Sequence, residues 1–596
     1  MSEETNPISE TDESAREEKR ERRMREIRYL AVLLLIVLAL PLLAWAAYDY
    51  TYTCRIRLPG GTTVVDETAV RTHAALFDFF FPAPGRGSIH GSIHGTPAPK
   101  PPNKYMLKLQ PYLTYRHYIV PEGATEIGSF AFQDKKQLRT VRLSDTVTKI
   151  NVGAFMRCPE LRKVVMSDSV TEIGTNAFLN CAKLEDIRLP DSLKIVGTNA
   201  FGGCSNLREI VIPESVETLG LGAFSGTGLV RARIPDGARP LKLGAHTFAT
   251  CRDLREAEIS GRVEDLVWGM FSDCASLEKV VLHDGVRYIH ATFGGSPKLK
   301  EIDIPDSVLY IEKRAFAGCT ALEEIAIPAG TDSEIHINAE MFSGCTALKK
   351  VVIQDGVIGI EKNAFAGCTA LEEIRIPESV KSINPGAFSG CTALKEFEFP
   401  ERTTFGADVF SGCTALTRVR LPAAPYIASG MFAGCTGLKA IDIPDVPPHG
   451  RRDHIGSNAF SGCTALEEIV LPKGVETVWN NAFENCIALK KVVMQSGVRP
   501  EVGTTTGVKS IRENAFSGCA ALEEVVLPDT LTEIRENAFG NCTNLKKVAI
   551  PSNVKEIGPR AFAGCTALAE IDLPLSVKIA PDAFEGTPVP PEKLTK

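Results

Sequence analysis

The feature that most constrains this chain is that it keeps returning to one eleven-residue phrase. AFSGCTALEEI at Ala459–Ile469 comes back as AFAGCTALEEI at Ala315–Ile325 and Ala364–Ile374, and as AFSGCAALEEV at Ala515–Val525. Around the phrase runs a longer frame, L-x-x-I-x-I/L-P-x-x-V-x-x-I-x-x-x-A-F-x-x-C-x-x-L, seen in full at Leu371–Leu394. Anchored on its Cys position, the frame occurs twenty times from Lys135 to Thr587, with most steps 22–24 residues. A unit this short cannot bury its own apolar face. Stacked copies share one core, and stability is then built between neighbours along a line.

Each position in the frame has a physical reading. I-x-I is a short strand that turns two apolar side chains to one face. The proline after it offers no N–H and ends the strand. V-x-x-I brings two more side chains inward. Asn176, Asn199, Asn363, Asn458, Asn481, Asn514 and Asn537, with Asp408 and Asp582, stand where a helix N-cap would accept from free backbone N–H groups. The following A-F-x-x-C-x-x-L places Phe, Cys and Leu three apart, which predicts a short buried helical turn. The expected fold is an α/β repeat solenoid of about twenty copies, preceded by a single transmembrane helix.

L-x-x-I-x-L-P closed by x-x-A-F-x-x-C resembles the BspA-type leucine-rich repeats, over about residues 121–587. The resemblance implies a leucine-rich-repeat solenoid displayed on a microbial cell surface and used for protein binding and adhesion. It brings no catalytic residues and does not reach the segment before residue 105.

Lys and Arg total 66 against 73 Asp and Glu, a formal net charge of −7, without the basic excess of a nucleic-acid binder. The sequence has no HExxH, no P-loop and no G-x-S-x-G between strand and helix, so neither an enzyme nor a cofactor is expected. His90 and His94, in the tandem GSIHGSIH, have helical metal-ligand spacing. Gly87, Gly91 and Gly95 argue against a helix there, and the stretch reads as linker.

Sixteen of the seventeen cysteines occupy one frame position, and the other four copies carry Lys135, Thr227, Ser296 and Thr587 there. A single thiol per layer cannot converge on a metal. Layers about 4.8 Å apart would permit disulfides, but the interruptions at Thr227 and Ser296 and the parallel side-chain vectors disfavour them. The expected role is a buried filler whose weak polar hydrogen points to a backbone carbonyl in the turn. Cys54, outside the array, is the candidate for pairing between chains.

Tyr29–Tyr48 has no charge for 20 residues and follows KRERRMREIR, with six basic and two acidic residues. That is about the length of a membrane span, and the basic flank places the N-terminus in the cytoplasm and the repeats outside. The alternative is a secreted protein cleaved near Ala46, where Ala44-Trp45-Ala46 has the form of a cleavage site. The expected organisation is a cytoplasmic tail over 1–28, the transmembrane helix over 29–48, a juxtamembrane segment over 49–84, a Gly/Pro/Ser-rich linker over 85–104, the solenoid over 105–587 and a tail over 588–596. Within the juxtamembrane segment, two short strands are expected around Pro59-Gly60-Gly61.

Two surfaces are candidates for a macromolecular partner, protein in the first instance. The residue pair before I-x-I alternates in sign between copies, as in Glu323-Glu324, Lys349-Lys350, Glu372-Glu373 and the mixed Lys395-Glu396, then later Glu467-Glu468, Lys490-Lys491, Glu523-Glu524 and Lys546-Lys547. Stacked opposite charges support the register, and the ladder cancels itself. The middle residue of I-x-I faces outward beside them and becomes apolar late in the chain at Val470, Val493, Val526 and Ala549, a strip that would serve ligand binding or, alternatively, homotypic association. The second surface is an edge. Three copies carry insertions, within Ala329–Ile335, Asp445–Ile455 and Ser496–Ile511, and the middle one holds Arg451 and Arg452.

Overall fold

The computed structural model describes residues 54–55, 106–107, 116–120, 122–329, 335–422, 427–444, 454–499 and 504–594. The expected membrane helix over 29–48 lies outside these residues, as do the tail, the linker, Arg451 and Arg452. Among the described residues no helix is long and apolar enough to cross a membrane. Of the two strands expected around Pro59-Gly60-Gly61, the second lies outside the described residues; Cys54–Arg55 pairs antiparallel with Met106–Leu107, just ahead of the array.

From residue 116 onward the chain is a solenoid whose layers present three sides. The first side is a parallel ladder of the I-x-I strands, such as Glu209–Val211, Arg231–Ile234, Glu256–Ile259, Lys279–Leu282 and Glu301–Asp303. The second is a parallel ladder of two-residue strands at V-x-x-I, for example Glu126–Ile127 with Lys149–Ile150, Glu172–Ile173 and Ile195–Val196. Between them the proline carbonyl closes the turn, as Val475 N–H donates to Pro472 O at 3.0 Å and Val216 N–H to Pro213 O at 3.1 Å. Proline therefore ends one strand and anchors the bend to the next.

The third side corrects the α/β expectation. A-F-x-x-C does not form a helix; among the described residues the one helix is the single turn Pro591–Leu594. In most layers two residues, four apart, adopt left-handed backbone, as at Asn458 (φ 57°) and Gly462 (φ 72°); in the layers of Gly295 and Gly586 only the second does, so Asp582 is not left-handed. The N–H groups of the left-handed residues then leave the layer. Asn458, Phe460 and Gly462 donate to the carbonyls of Asn480, Ala482 and Glu484 at 2.7–2.9 Å, while Ala459 and Ser461 bond back within their own turn. The fold is thus a β-solenoid with a hydrogen-bonded turn ladder in place of helices.

The asparagines are consequently not N-caps. Asn176, Asn199, Asn363, Asn458, Asn481, Asn514, Asn537 and Asp408 all have positive φ, and Gly153, Gly222, Gly269, Gly386 and Gly430 replace them in other layers. Asparagine and glycine share the left-handed region at the least steric cost. Their side chains form short ladders instead, with Asn481 Nδ2 donating to Asn458 Oδ1 at 3.1 Å and Asn537 Nδ2 to Asn514 Oδ1 at 2.7 Å.

The core is a set of columns. Phe132 through Phe584 form nineteen successive stacked pairs, with centroids 4.9–5.9 Å apart and planes within 17°. The offset stack is a favourable aromatic geometry. The stretch expected as a C-terminal tail covers its end: Val589 is buried and Leu594 packs against the core.

Arg262 is a buried exception to the apolar pattern. Its guanidinium donates to the carbonyls of Pro213, Glu214, Val216 and Pro235 at 2.9–3.1 Å, filling the bend of a layer whose I-P-D-G-A-R-P run departs from P-x-x-V. Burial lowers its pKa, and the four acceptors satisfy the charge where it sits.

Candidate functional site: the ladder face and the insertion edge

All sixteen repeat cysteines are buried free thiols. Each Sγ donates to the carbonyl of the phenylalanine in the preceding layer, from Cys158 on Phe132 to Cys565 on Phe539, at 2.9–3.5 Å. The thiol column thereby satisfies backbone carbonyls inside the stack. Desolvation pushes Cys204, Cys345 and Cys413 up to about 12 and Cys251 to about 11, so these thiols stay protonated and unreactive at neutral pH. Neither hydroxyl substitute takes this role: Thr227 Oγ1 bonds Phe224 O of its own layer at 2.9 Å and meets Cys251 Sγ at 3.1 Å, and the buried Ser296 Oγ has no partner.

The outward face of the first ladder carries the charges. Strand register puts Glu468 beside Lys491 and Lys491 beside Glu524, and likewise Glu324 beside Lys350. Ion pairs follow: Lys349–Glu323 at 2.9 Å, Lys350–Glu324 at 3.5 Å, Lys395–Glu372 at 2.6 Å, Lys490–Glu467 at 3.0 Å and Lys491–Glu524 at 3.1 Å. Lys547 turns instead to Glu570 and Asp572. Side-chain hydrogen bonds from Lys349, Lys395 and Lys490 hold Glu323, Glu372 and Glu467 below the usual carboxylate range.

One residue further along the same strands, Val470 lies beside Val493 and Val493 beside Val526. Val470 and Val526 are 42% and 41% exposed, and Val493 is half-buried between them. Ala549 is exposed one layer on, in a strand whose ladder partner is Glu570–Asp572. The structure brings three of the four expected strip residues into register and leaves Ala549 at its border.

The three insertions all enter between a first-ladder strand and the second-ladder strand that follows, ahead of Ile335–Ile337, His454–Ile455 and Ser510–Ile511. The longest contains an antiparallel strand pair, Gly497–Arg499 with Thr504–Thr506, and Val498 on it is exposed. Close by is a cluster that sequence reading missed. Trp479 has His454 edge-on at 6.1 Å and the Arg512 guanidinium over its ring at 5.3 Å. Arg512 also faces Glu533, which accepts from Ser510 Oγ at 2.6 Å and pairs with Arg535 at 2.5 Å. A tryptophan among the second-ladder positions was the available signal.

These features accord with the chain's relationships. The sequence profile described as BspA type leucine-rich repeat region (6 copies) matches residues 125–245, 240–336, 335–449, 426–500 and 500–590. The chain belongs to this family. Among solved structures it is similar to a leucine-rich repeat protein from Bacteroides ovatus, at 27% identity over 60% of this chain and 87% of that one, with a TM-score of 0.42. It is similar also to a leucine rich cell surface protein from Faecalibacterium prausnitzii, at 21% identity over 77% and 88% with a TM-score of 0.27. The pneumococcal vaccine antigen PcpA aligns at 19% identity over 63% and 83%, with a TM-score of 0.29. No curated protein matches the chain.

Proposed function

We propose that this chain is a membrane-anchored surface protein that uses its solenoid to bind a protein ligand and so to adhere. The observation that carries the reading is the first-ladder face, where a self-cancelling charge ladder gives way to the in-register strip Val470–Val493–Val526. Surface apolar residues that line up across rigid strands form a defined contact, in contrast to scattered ones. Membership of the BspA-type family supports a surface-binding role, and the basic-flanked segment Tyr29–Tyr48 supports the anchor. The reading is of a binding protein without catalytic chemistry of its own.

Binding is proposed for roughly residues 440–550, the part of the chain that holds the strip and the two larger insertions, with Arg451 and Arg452 in the first of these. The test compares adhesion of cells bearing the parent chain with that of Val493→Lys with Val526→Lys, and of a chain lacking residues 499–506. Loss in either variant, with the fold retained, supports the localisation. Parent-like adhesion by both would move binding to earlier layers.

A further inference from the structure

We propose that the Val470–Val493–Val526 face is occupied by a second copy of this chain, docked antiparallel about a twofold axis that runs along the strands between the Val493 and Val526 layers. The proposal deepens the binding reading above by naming the occupant of the strip. The ground is charge complementarity together with the apolar centre.

An isologous contact between two such faces admits two simple dyads. An axis along the solenoid sets each layer against its equal, so like charges from the same layer share the contact. An axis along the strands reverses the order of layers and keeps each column on itself. A ladder that alternates in sign is then its own complement. Lys490 and Lys491 meet Glu523 and Glu524 of the other copy, and Glu467 and Glu468 meet Lys546 and Lys547. In the neighbouring column Val493 meets Val526 and Val470 meets Ala549, closing an apolar centre beside two columns of opposite charges. At the border Ala440 meets Glu570, and Asp442 lies against Asp572, whose carboxylate already faces Lys547 at 3.8 Å.

The ion pairs within each chain do not prevent this. They are exposed, and exposed pairs exchange partners at little cost. The same operation centred between the Glu323-Glu324 and Lys349-Lys350 layers sets Lys300 on Glu372 and Asp303 on Arg375 but Glu301 on Glu373, and it differs mainly in its apolar centre, which is only Ala326 against Val352.

Six layers span about 25–30 Å at the usual strand spacing. This face is smaller than the roughly 800 Å² per partner of a standard stable interface, so the contact is weak in solution and strengthened by many copies on a surface. It also has a direction. Fourteen of the twenty copies precede this face in the chain, and in the antiparallel pair those stems point away from each other. On the anchored reading, the two copies belong to facing membranes.

The test uses the full chain with Cys54→Ser, purified in mild detergent and followed by sedimentation over a concentration series. One variant carries Lys490→Glu and Lys491→Glu, the other Glu523→Lys and Glu524→Lys. Each alone sets like charges across the dyad and is expected to weaken association at least ~10-fold, whereas an equimolar mixture restores parent-like association. Circular dichroism checks that both variants are folded. If charge reversal itself disturbs the fold, Val470→Cys mixed with Ala549→Cys replaces it: these positions oppose each other across the dyad while the two copies of Val470 lie three layers, about 14 Å, apart along the solenoid, so a short thiol crosslinker joins the mixture and leaves Val470→Cys alone unjoined. Monomer at every concentration, no rescue on mixing, crosslinking of Val470→Cys to itself, or crosslinking of Ala326→Cys to Val352→Cys would each overturn the proposal. Vesicles bearing the full chain are expected to cluster. Dimers in detergent with vesicles that stay apart would uphold the dimer and overturn the anchored reading.

Discussion

Raising the pH should unfold this protein through its thiol column. The ordinary thiol value of 9.0 is raised by burial to about 12 at Cys204, Cys345 and Cys413. Between those values the unfolded chain has lost a proton that the folded chain still holds. The unfolded state is then favoured, so the contribution of each thiol to stability is full below pH 9 and is lost as the pH rises toward 12. At pH 10 the loss is about 1.4 kcal/mol per thiol, or about 4 kcal/mol for these three. That is a large share of the 5–15 kcal/mol that typically separates native from unfolded. The assay is denaturant unfolding by circular dichroism at a series of pH values, beside the ultraviolet absorbance of thiolate. The parent should lose stability steeply above pH 9, with thiolate appearing only as the fold is lost. Cys204→Ser with Cys345→Ser and Cys413→Ser should reduce that slope, whatever its stability at neutral pH. Thiolate rising near pH 9 with the fold intact would refute the reasoning, as would equal slopes.

At Cys368, serine should be tolerated at a cost of about 1–2 kcal/mol, since it leaves a shorter donor at the same place, whereas Cys368→Lys should cost several kcal/mol by burying an unpaired charge; thermal melts rank the two. Asn458→Ala should cost about 1–2 kcal/mol at its left-handed position and Asn458→Gly close to nothing, and Asn458→Ser, which an N-cap would accept freely, should cost about as much as alanine. Arg262→Leu takes the donor from the carbonyls of Glu214 and Val216, while Pro213 and Pro235 keep theirs from Val216 N–H and Ser260 Oγ, and should cost about 2–3 kcal/mol, read by the same melts. Protease applied to intact cells should digest the repeats from outside; protection of the repeats until lysis would reverse the proposed topology.

The period, the buried columns and the charge register were legible because each depends on one side chain per layer. Leu, Ile, Phe and Cys could be assigned to the interior, and the glutamates and lysines to one face, without knowing the path of the turn. The turn itself was misread. A-F-x-x-C has the spacing of a helical face, and asparagine is favoured both at N-caps and in left-handed backbone. The deciding signal was nonetheless present, because the residue before Ala-Phe or its equivalent is asparagine in seven copies and glycine in five. That exchange marks positive φ, whereas N-caps draw also on serine and threonine. The paired strands inside the longest insertion and the Trp479–Arg512 contact were beyond sequence reading. Both depend on which layers become neighbours once Ser496–Ile511 leaves the stack.

The sign alternation of the ladder has a consequence for how such a chain changes length. Near-identical copies invite unequal recombination, and every layer presents the same hydrogen-bonding edge to the next, so the backbone would accept the gain or loss of any whole copy. The charges would not. Removing the copy that carries Lys349 and Lys350 would set Glu323 and Glu324 against Glu372 and Glu373, whereas removing the two copies that carry Lys490-Lys491 and Glu523-Glu524 sets Glu467 and Glu468 against Lys546 and Lys547. Where the signs alternate strictly, the heritable unit of growth is therefore the pair, and relatives of this protein should differ in reach there by steps of two layers, about 10 Å at a time.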